Sequence, residues 1–269
     1  MEPTRQITED ISILPSFFPI PGFGIVPVNA FVIKSSEPVL VDTGLNMDRG
    51  SFMQELERTI DPAEIRWLWL THPDLDHVGS LQEMLRRAPE MKLITTFLGY
   101  GILSLAADQI PPDRIYFLNP GESIDVGDRQ LTAVKPPTFD NPATTGFYDR
   151  KSRVFFSSDS FGALLQEPAE DAGDMAAEAL RQGQVTWTTV DSPWLHKVDE
   201  GKFAAELNTI RQMEPAMVLS SHLPPAKAMT DTLLQALVDA SRAEPFVGPN
   251  QAAFEAMIAQ MTGAAPVGA

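Results

Sequence analysis

Cysteine is absent from this 269-residue chain, which excludes disulfides, Fe–S clusters and thiolate-bound zinc. A chain without disulfides fits a reducing cytoplasm, and the cytoplasm is the expected location. Basic residues are scarce: 20 Lys and Arg stand against 36 Asp and Glu, a formal net charge of -16. Phosphate binding needs clustered Lys and Arg, and no basic run occurs. A nucleic-acid partner is therefore not expected, and metallonucleases lose weight as an explanation. The apolar segment 11–28 is broken by Pro15, Pro19, Pro21 and Pro27, so it cannot be a spanning helix. No membrane association is expected. Met1-Glu2-Pro3-Thr4-Arg5 lacks the charged-then-apolar plan of a signal peptide. Histidine is rare as well, at four residues, which makes its placement informative.

Two of those four fall in Thr71-His72-Pro73-Asp74-Leu75-Asp76-His77-Val78-Gly79. Four potential metal ligands sit there within six residues, after the mostly apolar run 65–70 and before a helical pattern. A strand that ends and spills His and Asp into a tight loop can converge those side chains on one point. Imidazole and carboxylate are ligands that divalent Zn, Fe and Mn accept. The plainer alternative is a polar strand-to-helix loop with Asp76 as an N-cap; two His and two Asp at one strand end weigh against it.

The remaining pattern places this loop in a mixed α/β fold. Segments 29–33 and 38–42 read as strands around the turn 34–37. The second runs into Asp42-Thr43-Gly44. A helix is expected over 49–59, and Asp61-Pro62 looks like an N-cap with Pro at the first helical position. Val78, Leu81, Met84 and Leu85 keep helical spacing after the metal loop. Residues 92–97 form a strand and 100–107 a helix. Segments 114–118, 122–126 and 130–134 make a hairpin-like series punctuated by Asn119-Pro120-Gly121 and Gly127-Asp128. Residues 144–149 and 152–157 are a further strand pair, 168–173 an acidic loop. A helix marked by Phe203, Leu207 and Ile210 ends before the strand 216–219, with His222 just past it. Helical patterns over 230–242 and 251–261 close the chain.

Strands thus come in two groups, 29–134 and 144–219, interleaved with amphipathic helices. Two sheets facing each other with helices outside would bury this pattern. One domain is expected over 1–243, with 244–269 a C-terminal helix and tail packed on it or trailing from it. Phe17, Phe18, Phe23, Phe147 and Tyr148 are candidates to wall an apolar pocket, with core packing as the default for aromatic residues.

The motif, its place after a strand and the preceding Val39-Leu40-Val41-Asp42-Thr43-Gly44 together resemble the metallo-β-lactamase superfamily, over roughly residues 25–225. The resemblance implies a four-layer αββα sandwich with a two-metal site at one edge of the sheets. The hydrolase branch reads His-x-His-x-Asp-His in this loop, and here Asp74 replaces the second His. A carboxylate at that place resembles the flavodiiron branch. Val28–Ile33, Ser157-Ser158-Asp159-Ser160-Phe161-Gly162 and Ser220-Ser221-His222 look like other segments of the same branch.

By that resemblance one metal would be held by His72, Asp74 and Asp159, and the other by Asp76, His77, Asp159 and His222, with Asp159 bridging. The family has one further His on the first metal, between Asp76 and Asp159. Only His77 lies in that interval, so Asp140 is expected to substitute; the alternative is an Asx-turn residue before Asn141-Pro142. Asp42 is expected to order the loop or support a ligand, and His196 matches no family ligand. Four carboxylates beside two divalent cations leave a near-neutral, oxygen-rich site that suits Fe or Mn, with Zn still admissible.

Three functions follow from the resemblance. The first is a non-haem diiron site that binds or reduces dioxygen or nitric oxide. Flavodiiron proteins carry an FMN domain after the diiron domain; residues 223–269 are too few for one, so turnover would need a separate electron-donor protein. The second is a binuclear metallohydrolase acting on an ester, amide or phosphoester through metal-activated water. The third, a fold kept for binding alone, is weakened by seven retained ligands. The partner is expected to be a diatomic gas or a small-molecule substrate, and a homodimer is left open.

Overall fold

Several strands are short, unbroken apolar runs buried on both faces, and successive side chains pointing to opposite faces build the layers. The structure, a computed structural model, describes residues 1–105 and 110–262. The end of the helix expected over 100–107, and the tail after 262, lie outside these residues. The first sheet takes its seven strands in chain order: β1 (Arg5–Gln6), β2 (Ile11–Ile20), β3 (Gly24–Ile33), β4 (Val39–Val41), β5 (Trp67–Trp69), β6 (Lys92–Thr95) and β7 (Ile115–Phe117). From β4 to β7 the pairing is parallel. The second sheet contains β8 (Ser123–Asp125), β9 (Gln130–Val134), β10 (Gly146–Asp149), β11 (Val154–Phe156), β12 (Met217–Leu219) and β13 (Ala226–Lys227). Its spatial order is β13-β12-β11-β10-β9-β8, with β11 and β12 parallel.

Phe31, Val39, Val41, Trp69 and Ile94 of the first sheet meet Leu131, Phe147, Val154, Phe156 and Leu219 of the second in one buried cluster. Phe147 and Phe156 stack at 4.3 Å, and Trp69 leans on Phe147 at 4.4 Å. Burying each such side chain stabilises the fold by roughly 1.5–3 kcal/mol relative to exposure. The opposite face of the first sheet, with Ala30, Val32, Leu40, Leu68 and Leu93, packs on Phe52, Met53 and Leu56 of α1 (Arg49–Thr59) and on Leu81 and Met84 of α2 (Leu81–Arg87). The short α3 (Phe97–Leu103) adds Leu103 to that side. Beyond the second sheet, Phe155 and Val218 meet Leu180 of α4 (Ala177–Asp191), Phe203, Leu207 and Ile210 of α5 (Glu200–Gln212), and Leu233, Leu234 and Leu237 of α6 (Thr230–Arg242). The result is the αββα sandwich expected from the sequence. A last helix, α7 (Gln251–Thr262), follows a segment in which Phe246 packs edge-on against Phe23.

The structure departs from the expected pattern at several elements. The strand expected over 29–33 begins at Gly24 and pairs with β2 in a long hairpin. Segment 11–28 is thus no spanning helix, as expected, and is largely strand despite its prolines. The N–H groups of Ile25 and Asn29 point away from β2, to the carbonyls of Leu165 and Ser221. Odd-numbered pairs are therefore the non-hydrogen-bonded ones. Pro15, Pro19 and Pro27 all occupy such pairs, where no ladder N–H is lost. The series 114–134 is not one hairpin: the chain leaves the first sheet after β7, so β8 and β9 belong with the second group of strands. Phe147 packs in the layer between the sheets, the default expected for aromatic residues. Helix α4 is not among the expected elements, because the apolar pattern does not announce it.

Beside the turn into β4, Arg129 is buried among three carboxylates. It donates to Asp149 at 3.0 Å, to Asp128 at 3.1 Å and to Asp10. Asp10 precedes β2 and Asp149 ends β10, so this guanidinium ties the two sheets together.

Candidate metal centre

Every element end that carries a candidate ligand converges on one place. The loop after β5 supplies His72, Asp74, Asp76 and His77; the loop after β11 supplies Asp159; the loop after β12 supplies His222; and the segment before β10 supplies Asp140. His72, Asp74 and Asp140 form one group of mutually close donors, and Asp76, His77 and His222 another. Asp159 lies between them. Its Oδ2 is 3.2 Å from His72 Nε2, while its Oδ1 is 3.2 Å from both His77 Nε2 and His222 Nε2. Asp74 Oδ2 and Asp140 Oδ1 stand 3.7 and 3.8 Å from His72 Nε2. Asp76 Oδ2 stands 3.5 Å from His77 Nε2 and 3.4 Å from His222 Nε2. All seven residues singled out in the sequence are thus brought together.

Supporting groups fix which nitrogen each imidazole presents. Pro27 O can only accept, so the Nδ1 2.7 Å from it on His222 carries the hydrogen. Asp42 Oδ2 likewise accepts from His77 Nδ1 at 2.8 Å. The Thr71 hydroxyl donates to Asp42 at 2.8 Å, which leaves it an acceptor for His72 Nδ1 at 3.2 Å. Each neutral ring then turns an Nε2 lone pair towards the cluster. A carboxylate or carbonyl behind a His is the arrangement that orients a metal-binding imidazole. Asp42 takes the supporting role expected of it; His196 is exposed and joins neither donor group.

Strained backbone holds these loops. Asp42, Ser158 and Phe161 have φ of 56°, 53° and 68°, a region that costs non-glycine residues of order 1–3 kcal/mol and persists only where the surroundings over-determine it. Asp42 is held by the Thr71 N–H and hydroxyl and by His77 Nδ1, with the Ser221 hydroxyl a longer fourth donor at 3.5 Å. The Ser158 carbonyl accepts from Ser220 Oγ and the Ser221 N–H, at 2.9 Å each. A side chain at Gly79 would drive into the backbone of Gly44 and Leu45. Only glycine lets the metal loop lie on the Asp42-Thr43-Gly44 turn, where the Thr43 N–H and hydroxyl both bind His77 O at 2.8 Å.

The electrostatics favour a cation. His72, His77, Asp159 and His222 are almost fully buried, while the Asp74 and Asp140 side chains keep 37% and 36% of their exposure at the mouth. Burial pushes Asp140 up to about 7, with Asp159 and Asp74 adding to the rise. His222 is disfavoured as a cation by burial, but Asp159 and Asp76 outweigh this and raise it to about 9. His77 rises well above its usual value for the same reasons, burial opposed by Asp159, Asp76 and Asp42. The field that would put protons on these rings attracts a metal ion equally, and ions binding there release the protons. Two atoms test the fit directly: His72 Nε2 and His77 Nε2 are buried and make no hydrogen bond. Buried polar atoms are rarely left so, and a metal ion satisfies both.

The sequence reading missed two residues of α4. Trp187 Nε1 donates to Asp159 O at 3.2 Å, and its ring lies 4.6 Å from that of His222. Asp191 lies close to Asp140 and Asp159. Asn141 was read only as part of a turn, yet its amide donates to Asp74 Oδ1 at 2.8 Å while its own oxygen accepts from the Ala143 N–H. The Asx turn belongs to Asn141, which frees Asp140 to face His72.

Comparison with known proteins places this arrangement. The model of the ODP family beta lactamase matches residues 26–222. The type A flavoprotein fprA of Rhodobacter capsulatus is 33% identical over 137 residues, which is 50% of this chain and 32% of that protein. The anaerobic nitric oxide reductase flavorubredoxin of Klebsiella pneumoniae is 29% identical over 136 residues, 50% of this chain and 28% of that protein. The matched stretch is thus about a third or less of these curated relatives. Among solved structures, the rubredoxin oxygen:oxidoreductase of Desulfovibrio gigas superposes with a TM-score of 0.76 at 18% identity, covering 89% of this chain and 61% of that one. A flavodiiron protein variant from Thermotoga maritima superposes with a TM-score of 0.76 at 20% identity, covering 91% and 64%. At these identities the superpositions establish the fold.

Proposed function

Because the chain belongs to the ODP family beta lactamases, with the metallo-β-lactamase fold of flavodiiron proteins, we propose that its His and Asp cluster holds two iron ions and binds or reduces dioxygen or nitric oxide. The observation that carries this reading is Asp159, whose two oxygens face two separate donor sets. His72, Asp74, Asp140 and Asp159 would hold one ion; Asp76, His77, Asp159 and His222 would hold the other. A bound iron pair would supply electrons to the gas.

The chain's own residues set the conditions. Four carboxylates make the site hard and anionic, which favours iron or manganese and stabilises iron's higher oxidation state. Asp42, Pro27 and Thr71 hold the three rings so that only Nε2 faces inward. The buried floor keeps water from the histidines, while the part-exposed Asp74 and Asp140 leave an approach for a small molecule.

Asp140 gives the first check on the donor set. Asp140→Ala is expected to lower metal content from two ions towards one, while Asp140→His should keep two. Metal analysis of both variants decides it, and full metal in Asp140→Ala would remove Asp140 from the ligands. The gas reading is tested by loading the protein with iron(II) without air and recording optical spectra on adding dioxygen, then nitric oxide. New near-ultraviolet and visible absorption is expected with each. Iron-loaded protein that stays spectrally inert to both, together with zinc-dependent ester cleavage, would favour a hydrolase instead.

A further inference from the structure

Helix α4 crosses the metal cluster with one face. Gln184, Trp187, Thr188 and Asp191 recur at helical spacing and so share that face. Gln184 Nε2 donates to Phe161 O at 3.3 Å, and Trp187 Nε1 to Asp159 O at 3.2 Å. Gly162 clears the way, because a side chain there would strike the Trp187 indole and His222. The helix is thereby pinned to the loop that carries Asp159, and its last residue, Asp191, is delivered to the cluster.

Asp191 is badly placed for a carboxylate without a cation. It ends a 15-residue helix, where the helix dipole is negative and disfavours anions. A carboxylate oxygen of Asp191 lies within 4.8 Å of oxygens of Asp140 and Asp159. Among the described residues its one hydrogen bond comes from Ser192 Oγ at 3.1 Å, and no Lys or Arg pairs with it. Lys135, whose charge reaches Asp140, is committed elsewhere: Nζ donates to the carbonyls of Pro142 and Thr144 and lies over the Phe139 ring. Burial, then Asp159 and Asp140, push Asp191 well above the ordinary carboxylate range. The His222 charge pulls the other way. Independently, the two carboxylates that Asp191 approaches also flank the buried His72 Nε2, 3.2 Å from Asp159 Oδ2 and 3.8 Å from Asp140 Oδ1, and that nitrogen makes no hydrogen bond of its own.

We propose that Asp191 is a further ligand of the ion held by His72, Asp74, Asp140 and Asp159. The assignment rests on the two-ion reading and deepens it. The first position would then offer one imidazole and four carboxylates, a donor set for a hard cation such as iron or manganese over zinc. The second position, with His77 and His222, keeps more nitrogen. The two positions therefore differ in metal preference as well as in place.

Manganese(II) tests this without redox chemistry. The metal-free 269-residue chain is titrated with Mn(II) and the free ion counted by electron paramagnetic resonance, alongside metal-free melting curves. The unaltered chain should bind two equivalents. Asp191→Asn should weaken one of them by roughly 10–100-fold and leave the other. Its metal-free melting temperature should hold or rise, since one like charge has left the cluster. Asp191→Ser serves as the second variant if the amide does not fold. Two equivalents bound as tightly by the variants as by the unaltered chain would overturn the assignment. So would a fall in metal-free stability with unchanged Mn(II) affinity, the signature of a purely structural carboxylate. An unaltered chain that binds no Mn(II) would instead overturn the two-ion reading on which the assignment stands.

Discussion

Asp159→Ala is expected to take the protein from two bound metal ions towards none. No other side chain of the cluster faces both donor sets, one oxygen 3.2 Å from His72 and the other 3.2 Å from His77 and His222. Removing it withdraws a ligand from each ion at once and leaves three buried imidazoles without their shared anion. An ion present at about 1,000 times its dissociation constant contributes about 4 kcal/mol to stability. At roughly 2–4 °C per kcal/mol for a domain of this size, two such ions raise the melting temperature by upwards of about 15 °C. That increment should vanish in Asp159→Ala and shrink strongly in Asp159→Asn, which keeps the shape and loses the charge. Metal analysis and paired melting curves with and without chelator measure it. A variant that keeps both ions and the full increment would remove Asp159 from the bridging role.

Arg129→Met should cost nearly as much by a route that leaves the metals alone. Arg129 is buried, and its partner Asp149 is 0% exposed. Asp149 would keep Ser152 Oγ at 2.7 Å and the Lys151 N–H at 2.9 Å, but no longer a cation. Breaking a buried pair from one side typically costs 3–5 kcal/mol, because the remaining charge stays buried. The expected fall in melting temperature is about 10 °C, with metal stoichiometry unchanged. The ion pairs sit beside the turn into β4, whereas Asp42 and the metal loop lie past that strand's other end. Loss of metal in Arg129→Met would show that the two ends of the sandwich are coupled.

Much of the site was legible because its residues are close in sequence or mark strand ends. His72, Asp74, Asp76 and His77 share one loop, and Asp159 and His222 each follow an apolar strand. Asp140 was legible only as the acid at about the right place in the chain; its freedom from the Asx turn depended on Asn141, which only coordinates reveal. Helix α4 was hidden by its composition. Thr186, Thr188, Thr189 and Val190 are β-branched and Gly183 is a weak helix former, so its helicity comes from packing on α6 and on the Phe161–Leu165 segment, not from propensity. The one sequence signal for it is the helical spacing of Gln184, Trp187 and Asp191. The β2–β3 hairpin was masked by prolines that read as breakers until the pairing register showed them at non-hydrogen-bonded positions. The division of the sheets failed for a different reason. Strands β7, β8 and β9 are alike in length and spacing, and nothing local records that the chain changes sheets at Asn119–Gly121.

Whether the Asp159 carboxylate joins two metal positions is read by anomalous X-ray scattering from crystals of the iron-loaded protein. Two iron peaks flanking the Asp159 carboxylate are the predicted result, one beside His72 and the other between His77 and His222. A single peak, or none in protein shown to be folded and exposed to iron, would contradict the bridging role.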